Sequence, residues 1–143
     1  LMRYHSGIGL AAPQVGLSTR LLVASIQEYS LALTNVQIQE TSEPRDFVEA
    51  CLSLPGVKIN VRRPERIRVT GYDLQGQRRQ FGAVGLWARV IQHEIDHLRG
   101  KLIVDYASFF DKIKISQRLN ELKLDAENEK LSESETKSCS LQL

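Results

Sequence analysis

The sequence predicts antiparallel sheet in its first half and helix in its second. Two observations carry this. Between residues 20 and 70, short apolar runs alternate with polar residues and recur every 8–12 positions, which favours antiparallel strands. From Ala83 the period changes to three and four, the spacing of a helix. The chain has 143 residues, enough for one domain with its own core. One domain over residues 1–130 is expected, followed by a mobile Ser-, Glu- and Lys-rich tail over 131–143.

The strands come first. Residues 20–26 (RLLVASI) follow the turn-forming Gly16, Ser18 and Thr19. Leu31, Leu33, Val36 and Ile38 alternate loosely over 29–38. Val57, Ile59 and Val61 alternate strictly with Lys58, Asn60 and Arg62, as in a half-buried strand. Ile67 and Val69 do the same, and Asp73-Leu74-Gln75-Gly76 then reads as a hairpin connection. Pro55-Gly56 reads as a turn.

The helices follow. Leu86, Val90, His93 and His97 share one stripe, continued by Trp87, Ile91, Ile95 and Leu98. Arg89, Gln92, Asp96 and Arg99 form the opposite one. A broad apolar face with a polar, solvent-facing back is expected, ending at Gly100. A second helix is expected from about Ser108 to about Lys130. Phe109, Ile113, Leu119, Leu122 and Leu124 would form its seam, with Lys112, Lys114, Arg118 and Lys123 outside.

Composition excludes several classes. Nineteen basic against seventeen acidic residues give a net charge of +2, too little for DNA or RNA binding as the main role. The longest apolar run, residues 21–24, is far short of the roughly 20 needed to cross a membrane. Residues 1–7 offer no apolar core for a secretory signal, and two cysteines make no disulfide framework. A soluble, cytosolic-type protein is expected.

Chemistry concentrates in Gln92-His93-Glu94-Ile95-Asp96-His97. Four residues advance a helix by about 400°, so His93 and His97 point the same way and can share one metal ion. Glu94 beside them can act as a general base. A further ligand is required. His5 lies in a short N-terminal stretch, whereas Cys51 follows apolar Phe47-Val48 in Glu49-Ala50-Cys51-Leu52-Ser53 and is the better candidate. Cys139 reads as an idle thiol.

Three segments in order, Gly7-Ile8-Gly9-Leu10-Ala11-Ala12-Pro13-Gln14, Glu49-Ala50-Cys51-Leu52-Ser53 and Gln92-His93-Glu94-Ile95-Asp96-His97, resemble the three motifs of the peptide deformylases. The resemblance covers residues 4–105 and extends to Arg63, at the spacing where that family has an arginine. It implies an α+β fold in which antiparallel β-strands surround a central metal-binding α-helix, with a C-terminal helix besides. It also implies a divalent cation on Cys51, His93 and His97, ferrous iron in the cell, with zinc, nickel or cobalt as alternatives. The implied reaction is hydrolysis of the N-formyl group from the initiator methionine of nascent polypeptides, releasing formate. Glu94 would move the proton, while Gln14 and the backbone N–H of Leu52 would receive the oxyanion. Gly7 and Gly9 would let a peptide add as a strand, and Ile8, Gly9, Glu49, Leu86, Arg89 and Val90 would line a methionine pocket. Arg63 would pair with Glu49 and hold the cysteine-bearing loop, a contact that matters only if it is buried. The implied location is the cytoplasm of a bacterial or phage-infected cell, or an organelle. The ribosome is a further implied partner through the C-terminal helix, although a solvated helix face is favoured there.

Two departures stand out. The family usually has glycine where this chain has Ala50, and some tens of residues before the first motif where this chain has Leu1 to Ser6. A short member of the family, or a trimmed one, is expected. Two rival readings remain open: a zincin-type metallopeptidase, which needs neither Cys51 nor Gln14, and a non-catalytic deformylase-like protein.

Overall fold

Alternating apolar residues and turn chemistry place seven strands, all paired antiparallel where they pair. The computed structural model describes residues 7–140, with side chains described to residue 130. The strands are β1 (Gly9–Ala11), β2 (Leu21–Ile26), β3 (Tyr29–Thr41), β4 (Pro44–Cys51), β5 (Leu54–Pro64), β6 (Arg66–Tyr72) and β7 (Arg78–Val84). Helix α1 is Leu86–Leu98 and α2 is Phe109–Ser140, with short 3-10 turns at Ala12–Val15 and Ile103–Tyr106. One sheet has the order β1-β2-β3-β6-β7, and the other pairs β4 with β5. This is the α+β arrangement, with α1 wedged between the sheets.

Period-two burial builds the first core. Leu22 and Leu33 face each other across β2 and β3, and with Val36, Ile67, Val69 and Ala83 they meet Ala88, Ile91 and Ile95 of α1. The second core is Val57, Ile59 and Val61 of β5 with Cys51 and Ile103, and Ile115, Leu119 and Leu122 of α2 pack against it.

Several expectations change. The polar stripe of α1 is not a wet back: Gln92 and Asp96 are only 7% and 8% exposed. With a sheet on either side, those groups are buried and must find partners, as Gln92 does by donating to the Pro64 carbonyl at 2.9 Å. Ala83 still belongs to β7, and α1 starts after Gly85. Pro55-Gly56 lies within β5, and Leu52 and Ser53 make the turn instead. Residues 44–51 form a strand that their irregular apolar pattern did not announce. The seam of α2 is Ile115, Leu119 and Leu122, spaced by four and three, while Phe109, Ile113 and Leu124 point outward. Helix α2 continues to Ser140 rather than ending near Lys130. His5 and the side chain of Cys139 lie outside the described residues, as do Leu1 to Ser6 and all of the expected tail's side chains.

Truncating a core position and a surface one separates these environments. Ile91→Ala, at a fully buried site, should cost about 2–5 kcal/mol by chemical denaturation. Phe109→Ala, at a side chain 73% exposed, should change stability by no more than about 0.5 kcal/mol.

Candidate metal centre

Strand β4 ends on Cys51 and α1 brings His93 and His97 one turn apart, so three ligating atoms converge from two elements. Cys51 Sγ lies 3.1 Å from His97 Nε2, which lies 3.2 Å from His93 Nε2. All three fall within 4.8 Å of one another. One thiolate and two imidazoles at such spacing suit a single transition-metal cation in a four-coordinate site. Burial alone would raise the Cys51 thiol, but hydrogen bonds from His93 and His97 bring it down to about 5. The thiolate that a metal needs is therefore the favoured form at neutral pH.

The histidines are held from behind. His93 Nδ1 donates to Glu49 Oε2 at 3.0 Å, which leaves Nε2 facing the other two ligands. Burial would raise the Glu49 carboxyl, but bonds from His93, Arg63 and Arg89 bring it down to about 2. Arg63 donates to both Glu49 oxygens, at 2.7 and 3.0 Å, and to Asp96 Oδ2 at 2.6 Å. Arg63 and Glu49 are 4% and 6% exposed, so this pair is part of the interior rather than a surface contact. Tyr106 donates to Asp96 at 2.8 Å and sets its ring against the Arg63 guanidinium.

Asp96 and Tyr106 escaped the sequence reading. Asp96 sat in the stripe assigned to solvent, and only its position between the two histidines hinted otherwise. Tyr106 carries no periodic or motif signal.

Glu94 is buried beside the ligands, and its Oε2 is a buried side-chain oxygen with no hydrogen-bond partner. Burial raises its carboxyl to about 7, against the pull of His93 and His97. Strand β1 runs so close that a Cβ at Gly9 would overlap this carboxylate and stand 2.8 Å from Val90 Cγ1. Any larger residue there would have to displace Glu94 or Val90. Gln14 accepts from the Ala11 N–H at 2.7 Å, which turns its NH₂ toward Ser53 Oγ at 3.0 Å and Cys51 Sγ at 4.0 Å.

A cavity of about 410 Å³ opens onto these groups. Each residue expected to line a pocket is on its wall: Ile8, Gly9, Glu49, Leu86, Arg89 and Val90. Gln14, Cys51, Leu52 and His93 border it too, as do Phe47 and Val48, which were read only as flanks of Cys51. The carboxylate of Glu49 is taken by Arg63, Arg89 and His93. Ala50 also lines the cavity and is exposed, with a φ outside the left-handed region, so its methyl group is accommodated without backbone strain.

Comparisons with known proteins agree with this geometry. The sequence model of the polypeptide deformylase family matches residues 1–113. A peptide deformylase of Dictyoglomus turgidum is 50% identical over 107 residues, covering 74% of this chain and 69% of the relative. Peptide deformylase 1 of Rickettsia conorii is 41% identical over 133 residues, covering 85% and 76%. A crystal structure of the Plasmodium falciparum peptide deformylase superposes with a TM-score of 0.84 at 36% identity, covering 89% of this chain and 78% of that one. One from Legionella pneumophila gives 0.80 at 37% identity, covering 87% and 76%.

Arg63→Ala would leave buried Asp96 without its cation and Glu49 with Arg89 alone. It should cost about 3–5 kcal/mol in chemical denaturation, and metal affinity measured by chelator competition should fall about 10–100-fold.

Proposed function

The chain belongs to the polypeptide deformylase family, and from that premise we propose that it hydrolyses the N-formyl group of the initiator methionine on nascent polypeptides, releasing formate. The observation that carries this is the convergence of Cys51, His93 and His97 beside a buried carboxylate with one unpartnered oxygen, with Cys51 and His93 on the wall of a cavity. A peptidase of the zincin kind has no use for the thiolate of Cys51 or the amide of Gln14 beside it, so that rival loses its basis. At Ala50 the backbone lies outside the left-handed region, which supports the catalytic reading over a non-catalytic one.

Cys51, His93 and His97 would hold the cation, ferrous iron in the cell, with zinc, nickel or cobalt as substitutes. Bound there, it would polarise the formyl carbonyl and lower the pKa of water toward about 7. Glu94 accepts the proton of the attacking water and returns it to the departing amine nitrogen. A buried carboxylate with one oxygen free of hydrogen bonds can serve both steps, taking up the proton in the first and giving it up in the second. The NH₂ of Gln14 and the N–H of Leu52 donate to the developing oxyanion, and one such donor is commonly worth about 10²–10³ in rate. The peptide backbone lies along β1, the end strand of its sheet, so main-chain bonds would accept many sequences. Ile8, Phe47, Leu86 and Val90 give the methionine side chain its apolar walls.

Among the described residues no helix is long and apolar enough to cross a membrane. The proposed setting is the cytoplasm of a bacterial or phage-infected cell, or an organelle. Ribosome docking through α2 would have to use Lys112, Lys114, Lys123 and Lys130 among the residues whose side chains are described, because Arg118 is tied to the Pro55 carbonyl and to Glu121. That leaves a sparse charge for RNA, and a solvated face remains the favoured reading.

Two measurements test the reading. Formate release from formyl-Met-Ala-Ser should fall about 10²–10⁴-fold in Glu94→Ala while metal content stays that of wild type. An unchanged rate would remove Glu94 from the reaction. The iron-loaded enzyme should also lose activity in air while a nickel-loaded one persists, because ferrous iron reduces O₂ and exposes its thiolate ligand to the oxidant formed, whereas nickel(II) does not. Full activity of the iron form after aerobic handling would contradict the proposed metal.

A further inference from the structure

The two donors proposed for the oxyanion come from separate sheets. Gln14 lies in the 3-10 turn that follows β1, and the N–H of Leu52 lies in the two-residue turn between β4 and β5. Such donors stabilise a developing charge only while their spacing is fixed in advance, so one segment must be held against the other. Ser53 stands at that join. Its Oγ accepts from Gln14 Nε2 at 3.0 Å, across 39 positions of chain. Its backbone N–H bonds to Cys51 Sγ, which ties the same turn to the sulfur.

The Gln14 amide is thereby held at both ends. Oε1 accepts from the Ala11 N–H at 2.7 Å, which keeps the NH₂ turned toward Ser53. That NH₂ has two hydrogens. Ser53 Oγ takes one, and the other is left to donate into the cavity that Gln14, Cys51 and Leu52 border. The last torsion of a glutamine is broad, so an amide with one restraint instead of two samples a wide range of orientations. Ser53 is exposed and belongs to neither core, so its hydroxyl can be removed without leaving a void.

We infer that Ser53 is a positioning residue for the reaction: its hydroxyl sets the Gln14 amide against the Leu52 N–H and so fixes the geometry of the oxyanion site. The inference rests on the deformylase reading and adds to it a residue that acts through Gln14.

The test compares metal-loaded wild type, Ser53→Ala, Ser53→Thr, Gln14→Ala and the double variant for formate release from formyl-Met-Ala-Ser. Ser53→Ala should lower kcat about tenfold, the size expected for one neutral hydrogen bond. KM should hold, because oxyanion donors act on the transition state, and metal content should hold, because the backbone N–H on the sulfur is retained. Ser53→Thr keeps a hydroxyl and should recover most of the rate. In the Gln14→Ala background the added Ser53→Ala should cost less than about twofold, since the amide it positions is gone. The side-chain ¹⁵N–¹H₂ signal of Gln14, assigned by its absence in Gln14→Ala, gives a readout apart from activity. Its order parameter should fall in Ser53→Ala and return in Ser53→Thr. A full rate in Ser53→Ala, an equal loss with and without Gln14, or a loss that follows a fall in metal content overturns the inference and leaves the activity standing. No formate from metal-loaded wild type overturns the activity itself, and this inference with it.

Discussion

The guanidinium of Arg63 is the constraint on which the rest depends. It reaches from β5 to Glu49 on β4 and to Asp96 on α1, and so fastens the two-stranded sheet to the central helix. Cys51 sits two residues beyond Glu49 and the histidines flank Asp96 in the helix. A contact that fixes Glu49 against Asp96 therefore also fixes sulfur against imidazole. Burying such a cation is costly, and hydrophobic residues of equal volume could stabilise the interior as well or better. Its value lies in position: the bidentate geometry allows one relative placement of strand and helix.

The metal centre inherits that order. Glu49 is the point where support and site meet, since one of its oxygens accepts from Arg63 and Arg89 and the other from Arg63 and His93. Behind the ligands the charges are paired, and in front of them Glu94 is left with an oxygen unpaired. The contrast has a single cause. Both carboxylates are buried, but Glu49 has cationic neighbours and is held as the anion, while Glu94 lacks such bonds and is raised to about 7. Two acids within one small volume thus take opposite states, one held as an anion by its partners and one raised by burial.

Helix α2 contributes from the far side. Ile115, Leu119 and Leu122 cover the core that contains Cys51, and Arg118 reaches the Pro55 carbonyl just past the ligand's turn. The strand pair alone could not bury its own apolar face, because an isolated two-stranded ribbon is marginal in water. The packing of α2 thereby stiffens the loop on which the sulfur depends.

Local periodicity determined a good deal by itself. The alternation at Val57, Ile59 and Val61, the hairpin at Asp73 to Gly76 and the four-residue spacing of His93 and His97 each follow from backbone geometry within a few residues. The three motifs carried the ligand set and the likeness to the deformylases, because those residue types are constrained by chemistry rather than by surroundings. Tertiary structure decided what depends on distant neighbours. A polar stripe reads as solvent-facing, yet Gln92 and Asp96 are buried because a second sheet covers that side of α1. Tyr106 joins Arg63 and Asp96 across more than forty residues of chain from one and ten from the other, which no window along the sequence spans. Arg89 borders the cavity because β4, β5 and α1 meet there, and a meeting of three elements exists only after the chain has folded.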